Sequence, residues 1–132
     1  MIVLDLQRAT HLVGIGLERR RVAATQAEGH VLAYLAEPGE LSIRELQTRA
    51  VLRPSTLTAV LDRLEARGLV RRAAHPRDRR STLVKLTPRG RKAAARVGRA
   101  LTELDDRIRA RAGRADAEAF GRVLAALEEE LG

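Results

Sequence analysis

The stretch that most constrains this 132-residue chain is 42–68, SIRELQTRAVLRPSTLTAVLDRLEARG, because it packs two helix starts and a helix stop into 27 residues. Ser42 and Glu45 have the spacing of a reciprocal helix cap, and the helix they open is expected to end near Ala50. Pro54 suits the first turn of a second helix, since it lacks the N–H that a first turn leaves unpaired, and Gly68 suits the left-handed position just past the end. At about 100° per residue, Leu57, Val60, Leu61 and Leu64 share one face of that second helix. Ser55, Ala59, Asp62 and Arg63 point the other way, flanked by Thr56 and Thr58. Two short helices joined by a three- or four-residue turn, the second offering small and polar groups outward, form a helix-turn-helix.

The segments around this unit extend the pattern. After Gly68, LVRRA and STLVKLT read as two strands separated by AHPRDRR, with Pro76 in the loop where no ladder donor is needed. Thr87 and Pro88 then form an N-cap and first-turn pair that reopens helix, along which Val97, Leu101, Leu104 and Ile108 step by four, three and four. Gly113 breaks the run, and Phe120, Val123, Leu124, Leu127 and Leu131 make a second stripe. Upstream, 2–20 place Ile2, Leu6, Val13 and Leu17 on one stripe, and TQAE at 25–28 repeats the capping box, with Glu28 reaching back to the cap. The expected fold is mainly α: a winged helix-turn-helix of about six helices plus a β-hairpin wing, in one domain over 1–132. Segment 25–87 is expected to form the winged helix-turn-helix lobe, and 2–20 with 88–131 a dimerisation lobe. The apolar stripes of those terminal helices exceed what one small core can bury, which assigns Leu6, Val13, Val97, Leu101, Leu104, Ile108, Leu124 and Leu127 to a homodimer interface.

The charge distribution points to a polyanionic partner. Residues 1–52 carry six basic and six acidic side chains, 53–92 carry twelve and three, and 93–132 carry seven and eight, so the net +8 resides in the middle. A basic block between neutral helical flanks is what a nucleic-acid-binding module shows. No run of about 18 apolar residues is present, and Asp5 interrupts the N-terminus too early for a signal peptide, so a soluble cytoplasmic protein with no membrane partner is expected. The absence of cysteine excludes disulfides, thiolate metal sites and thiol redox sensing.

The order of motifs resembles the MarR family of winged helix-turn-helix transcription regulators. The resemblance is carried by SIRELQTRAVLRPSTLTAVLDRLEARGLVRR followed by HPRDRRSTLVKLTPRG, and it covers roughly residues 25–92. It implies double-stranded DNA as partner, a homodimer on a pseudo-palindromic operator, repression, and control by a small apolar or phenolic effector held where the terminal helices meet the DNA-binding lobe. Position by position, it places Arg53, Ser55, Thr56, Thr58, Ala59 and Arg63 on the DNA-reading helix and Arg77, Asp78, Arg79 and Arg80 in the wing. In the family's wing pair, which Asp78 and Arg80 match, the carboxylate braces the arginine and the arginine enters the minor groove. Val51 departs from the family's common glycine in the turn, and a β-branched residue resists a left-handed backbone there.

Several side chains admit two readings. Arg63 suits a bidentate guanine contact or a phosphate contact equally. Asp62, costly beside phosphates, is expected to pair with an arginine. His11, His30 and His75 lack metal-ligand spacing, so no metal or other cofactor is expected. Tyr34 and Phe120 are expected in the core rather than in a ligand cavity. Ser42, Ser55 and Ser81 each have a structural explanation and no positioned base, so the chain is not read as an enzyme. A winged helix used for protein interaction and a non-specific architectural DNA binder are the alternatives to a sequence-specific regulator.

Overall fold

The computed structural model describes residues 1–132. Its elements run α1 (Ile2–Arg19), α2 (Gln26–Ala36), β1 (Glu40–Ser42), α3 (Ile43–Ala50), α4 (Pro54–Ala66), β2 (Val70–Ala74), β3 (Thr82–Leu86), α5 (Pro88–Ala112) and α6 (Arg114–Leu131). The backbone groups into two compact units, Met1–Ala100 and Leu101–Gly132. Six helices and a wing hairpin match the expected fold class; the third strand, β1, was not expected. It pairs antiparallel with β3, with Leu41 opposite Val84, while β2 pairs with the other side of β3, with Arg72 opposite Val84. The strand order is therefore β1-β3-β2. Three residues are too few to display an alternating pattern, and only a long-range partner makes Glu40–Ser42 a strand.

Local signals set most of the boundaries. At the start of α3 the Glu45 N–H donates to Ser42 Oγ at 3.1 Å, and the Ser42 N–H donates to Glu45 Oε2 at 2.8 Å. Those Ser42 hydrogen bonds hold the Glu45 carboxyl below the usual carboxylate range. Pro54 occupies the first turn of α4, and Gly68 takes φ +70° just past its end. Thr87 caps α5, accepting from the Gly90 N–H at 3.0 Å and donating to the Gly68 carbonyl at 2.6 Å. Gly90 lies so close to the chain entering β2 that a Cβ there would stand 1.8 Å from the Leu69 carbonyl oxygen.

The turn between α3 and α4 is strained where the sequence warned of it. Val51 adopts the left-handed conformation, φ 51° and ψ 44°, with its side chain 87% exposed. A left-handed backbone brings Cβ against the following carbonyl and costs about 1–2 kcal/mol for an ordinary residue. Nothing packed around the Val51 side chain offsets that cost.

The core lies in the first unit, where α2, α3, α4, β3 and the first half of α5 contribute Leu32, Leu35, Leu46, Leu57, Leu61, Leu64, Val84 and Val97, all at most 2% exposed. The α4 stripe of Leu57, Val60, Leu61 and Leu64 is buried as its periodicity requires. Two expectations fail here. Val97, assigned to the dimer seam, is fully buried in the chain's own core, because the buried side of α5 continues to Ala100 before the apolar stripe becomes accessible. Phe120, expected in the core, is 52% exposed on a helix that buries none of its residues within the chain. Tyr34 is half-buried, with its ring 5.0 Å from that of His30.

Candidate DNA interface

The outward face of α4 begins with four exposed residues, Arg53 to Thr56, followed by exposed Thr58 and Ala59. Their neighbours Leu57, Val60 and Leu61 point into the core, so this face is held rigidly by the packing beneath it. Ser55 and Thr56 present hydroxyls with no partner in the chain, whereas Thr58 Oγ1 donates to the Pro54 carbonyl at 2.9 Å and keeps only acceptor capacity for a ligand. Short side chains of this kind let a helix backbone approach a groove closely.

Further along α4 the carboxylates that would repel phosphate are both engaged. Arg72 of β2 donates through Nη2 to Asp62 Oδ1 at 2.8 Å and through Nη1 to Glu65 Oε2 at 2.6 Å. The pairing expected for Asp62 is thus present, and Arg72, which the sequence did not single out, supplies it.

Arg63 is differently placed than a free outward arginine. Its Nε donates to Glu28 Oε1 at 3.0 Å while Arg67 Nη1 donates to Glu28 Oε2 at 2.6 Å, and the Glu28 side chain is almost wholly buried. Glu28 therefore does not close the capping box expected at α2; only Thr25 Oγ1 accepts, from the Glu28 N–H at 3.2 Å. Two guanidiniums offer charge-assisted bonds to the buried carboxylate, which a neutral backbone N–H does not match. With its Nε committed, Arg63 remains half-exposed at the edge of the α4 face.

The wing is a tight loop between β2 and β3 with Arg77, Asp78, Arg79 and Arg80 all exposed. Within it the Arg80 N–H donates to Asp78 Oδ1 at 3.0 Å, the Ser81 N–H to the Asp78 carbonyl at 3.0 Å, and the His75 N–H to the Ser81 carbonyl at 3.1 Å. The Arg77 N–H donates to His75 Nδ1 at 3.1 Å. This corrects the expected brace. Asp78 holds the backbone of Arg80 and not its guanidinium, because the short aspartate side chain reaches the N–H two residues on before it reaches the end of an arginine. The guanidiniums of the wing are left to solvent.

The expected dimer residues are variously placed. Leu6, Val13, Leu101, Leu104 and Leu127 are half-buried, while Ile108 and Leu124 are exposed. On α1 itself the assignment omitted Leu4, Leu12 and Ile15, all more than 40% exposed.

At the far end of α4 a cavity of about 810 Å³ is lined by Arg21, Arg67, Arg89, Lys92, Arg96 and Arg99, with Glu18 as its one acidic side chain and Val22, Leu32, Leu69 and Ala93 among its apolar walls. Tyr34 does not line it. No helix of the chain is long and apolar enough to cross a membrane.

Comparison with known proteins agrees with this geometry. A sequence model of the MarR family matches residues 24–82, which hold the helix-turn-helix and most of the wing. The HTH-type transcriptional regulator FarR of Neisseria gonorrhoeae is 38% identical over 91 residues, spanning 68% of this chain and 62% of FarR. The homoprotocatechuate degradative operon repressor of Escherichia coli is 32% identical over 111 residues, 83% of this chain and 72% of that protein. The crystal structure of NadR in complex with 4-hydroxyphenylacetate superposes with a TM-score of 0.78 at 28% identity, covering 95% of this chain and 88% of NadR. The chain spans less than two thirds of the length of curated relatives such as FarR.

Proposed function

The chain belongs to the MarR family of transcriptional regulators, and on that premise we propose that it is a ligand-responsive repressor that binds a pseudo-palindromic operator as a homodimer. The observation that carries the reading is the α4 face itself. Ser55, Thr56 and Ala59 stand exposed over a packed core, and Arg72 pairs with both acidic residues of the same helix, halving the negative charge they would set against phosphate. Beside that face the wing offers three exposed arginines whose guanidiniums are left to solvent. A helix presenting small hydroxyls and an adjacent arginine-rich loop suit a major groove and the neighbouring minor groove, where narrow A·T-rich stretches concentrate negative potential.

Homodimerisation supplies the two-fold symmetry that a palindrome requires, and α1 in the first unit and α6 in the second each leave apolar residues accessible for it, among them Leu12 and Ile15 on α1 and Phe120 on α6. Repression and effector control are supported by the relatives: one is named as the repressor of a degradative operon, and another was solved with a small hydroxylated aromatic acid. The experiment is a titration of labelled duplex at several salt concentrations. A DNA-binding regulator shows a logarithmic salt slope of about −0.9 for each phosphate neutralised, whereas a winged helix used for protein interaction shows no such binding.

A further inference from the structure

The cavity at the C-terminal end of α4 does not match an apolar effector. Six cationic side chains face it against the single carboxylate of Glu18, and of the six only Arg67 has an ion-pair partner within the chain. Arg21, Arg89, Lys92, Arg96 and Arg99 converge on one concavity where only the Glu18 carboxylate stands against them. Like charges gathered in a recess bounded by low-dielectric walls repel one another more than they do on an open surface, and they focus positive potential into the recess. Its volume of about 810 Å³ suits a small molecule, and Val22, Leu32, Leu69 and Ala93 give it an apolar wall.

DNA phosphate is a poor candidate occupant. Arg67 lies twelve residues beyond Ser55, about 18 Å along a helix that rises 1.5 Å per residue, so the cavity is at the opposite end of α4 from the DNA-facing hydroxyls. We infer that this cavity is a binding site for a small polyanion, a polycarboxylate or a phosphorylated metabolite, and that its occupation weakens DNA binding.

The route for that coupling is built into the Glu28 carboxylate. One oxygen accepts from Arg67, which lines the cavity, and the other accepts from Arg63, which borders the α4 face. An anion that draws the Arg67 guanidinium toward the cavity leaves the buried Glu28 carboxylate with Arg63 alone. Arg63 is then held more firmly against the scaffold and away from DNA, while the added negative charge lowers the attraction of the whole basic block for phosphate. Linkage makes the effect reciprocal: DNA must lower the affinity for the anion by the factor by which the anion lowers the affinity for DNA.

The test has two limbs. The first, measured without DNA, is isothermal titration of the full chain with citrate, inorganic pyrophosphate, benzoate and phenol at constant ionic strength. Citrate or pyrophosphate should bind with one site per chain, at least about tenfold more tightly than benzoate or phenol, and the preferred one of the two distinguishes a carboxylate from a phosphate site. Arg96→Gln with Arg99→Gln, which leaves the Glu28 pairs intact, should weaken that binding at least about tenfold. Absence of polyanion binding, equal binding by the double variant, or tighter binding of benzoate or phenol would overturn the site. The second limb rests on the DNA-binding reading above and repeats the duplex titration with the bound probe present. The probe should reduce the DNA affinity of the original chain by about fivefold or more, within the usual range of allosteric coupling, and leave the double variant unaffected. Equal reduction in both would overturn the coupling, since it would show simple ionic competition. Failure of the DNA-binding reading is separable, because it appears as no duplex binding before any probe is added.

Discussion

Arg72 Nη2 meets Asp62 Oδ1 at 2.8 Å, fastening β2, the first strand of the wing, to α4, and the same guanidinium reaches Glu65 one turn further on. A half-buried arginine shared by two carboxylates offsets one of their two charges and ties the wing strand to the helix. Exposed pairs of this kind add little to stability, commonly under about 1 kcal/mol, so their weight falls on the interface. Arg72→Met should therefore leave the melting temperature nearly unchanged and weaken duplex binding about tenfold. Adding Asp62→Asn and Glu65→Gln to that variant should restore much of the affinity. If the triple variant binds as weakly as Arg72→Met alone, charge compensation is not what Arg72 supplies.

The left-handed Val51 sets up a second test. Glycine removes the Cβ penalty and forfeits no packing, since the valine side chain is almost fully exposed. Against this stands the extra chain entropy that glycine loses on folding, roughly 0.5–1 kcal/mol. The balance predicts that Val51→Gly stabilises by up to about 1 kcal/mol, while Val51→Ala gains less because it keeps the Cβ. Thermal or urea unfolding reads the difference, and destabilisation by glycine would contradict the assigned backbone.

Those two features mark the limits of what the sequence could reveal. Helix ends at Ser42, Pro54, Gly68 and Thr87 were legible because a cap is made by residues within a few positions of one another. The α4 stripe was legible because burial imposes its period. Glu28 was misread because its partners lie 35 and 39 residues away, and only folding brings two guanidiniums to its carboxylate. The cationic cavity was invisible for the same reason, being assembled from the end of α1, α2, the segment after α4 and the first half of α5. Val97 was misplaced because a heptad step continues unchanged from a chain's own core into a stripe left accessible. In the wing, residue types and spacing were legible, but which atoms of Asp78 and Arg80 meet was not.

The wing geometry separates charge from turn formation. Asp78 stabilises the loop by accepting from the Arg80 backbone, and asparagine can accept in the same way. Asp78→Asn should keep the loop and, having lost a negative charge, bind duplex at least as tightly as the original chain. Asp78→Ala should lose the turn and bind more weakly despite the same change in charge. Arg80→Ala should lower the magnitude of the salt slope by about one, the contribution of a single phosphate contact. Identical affinities for the two Asp78 variants would remove the structural role assigned to that hydrogen bond.

Dimerisation is checked at Leu104, half-buried on α5 beyond the core-facing part of that helix. Leu104→Glu should place an uncompensated charge in the proposed interface and shift the chain to monomer at micromolar concentration in sedimentation velocity. Persistence of the dimer would move the interface elsewhere.

The central claim, that a two-fold dimer reads DNA through the exposed face of α4, is tested most directly by selecting bound sequences from a pool of random duplexes. The account predicts a pseudo-palindrome with half-sites about 10 base pairs apart and A·T-rich flanks under the wings. Thr56→Ala is expected to relax preference at only a few positions within each half-site. An enriched site without two-fold symmetry, or a pool that emerges from selection with no sequence preference, would contradict it.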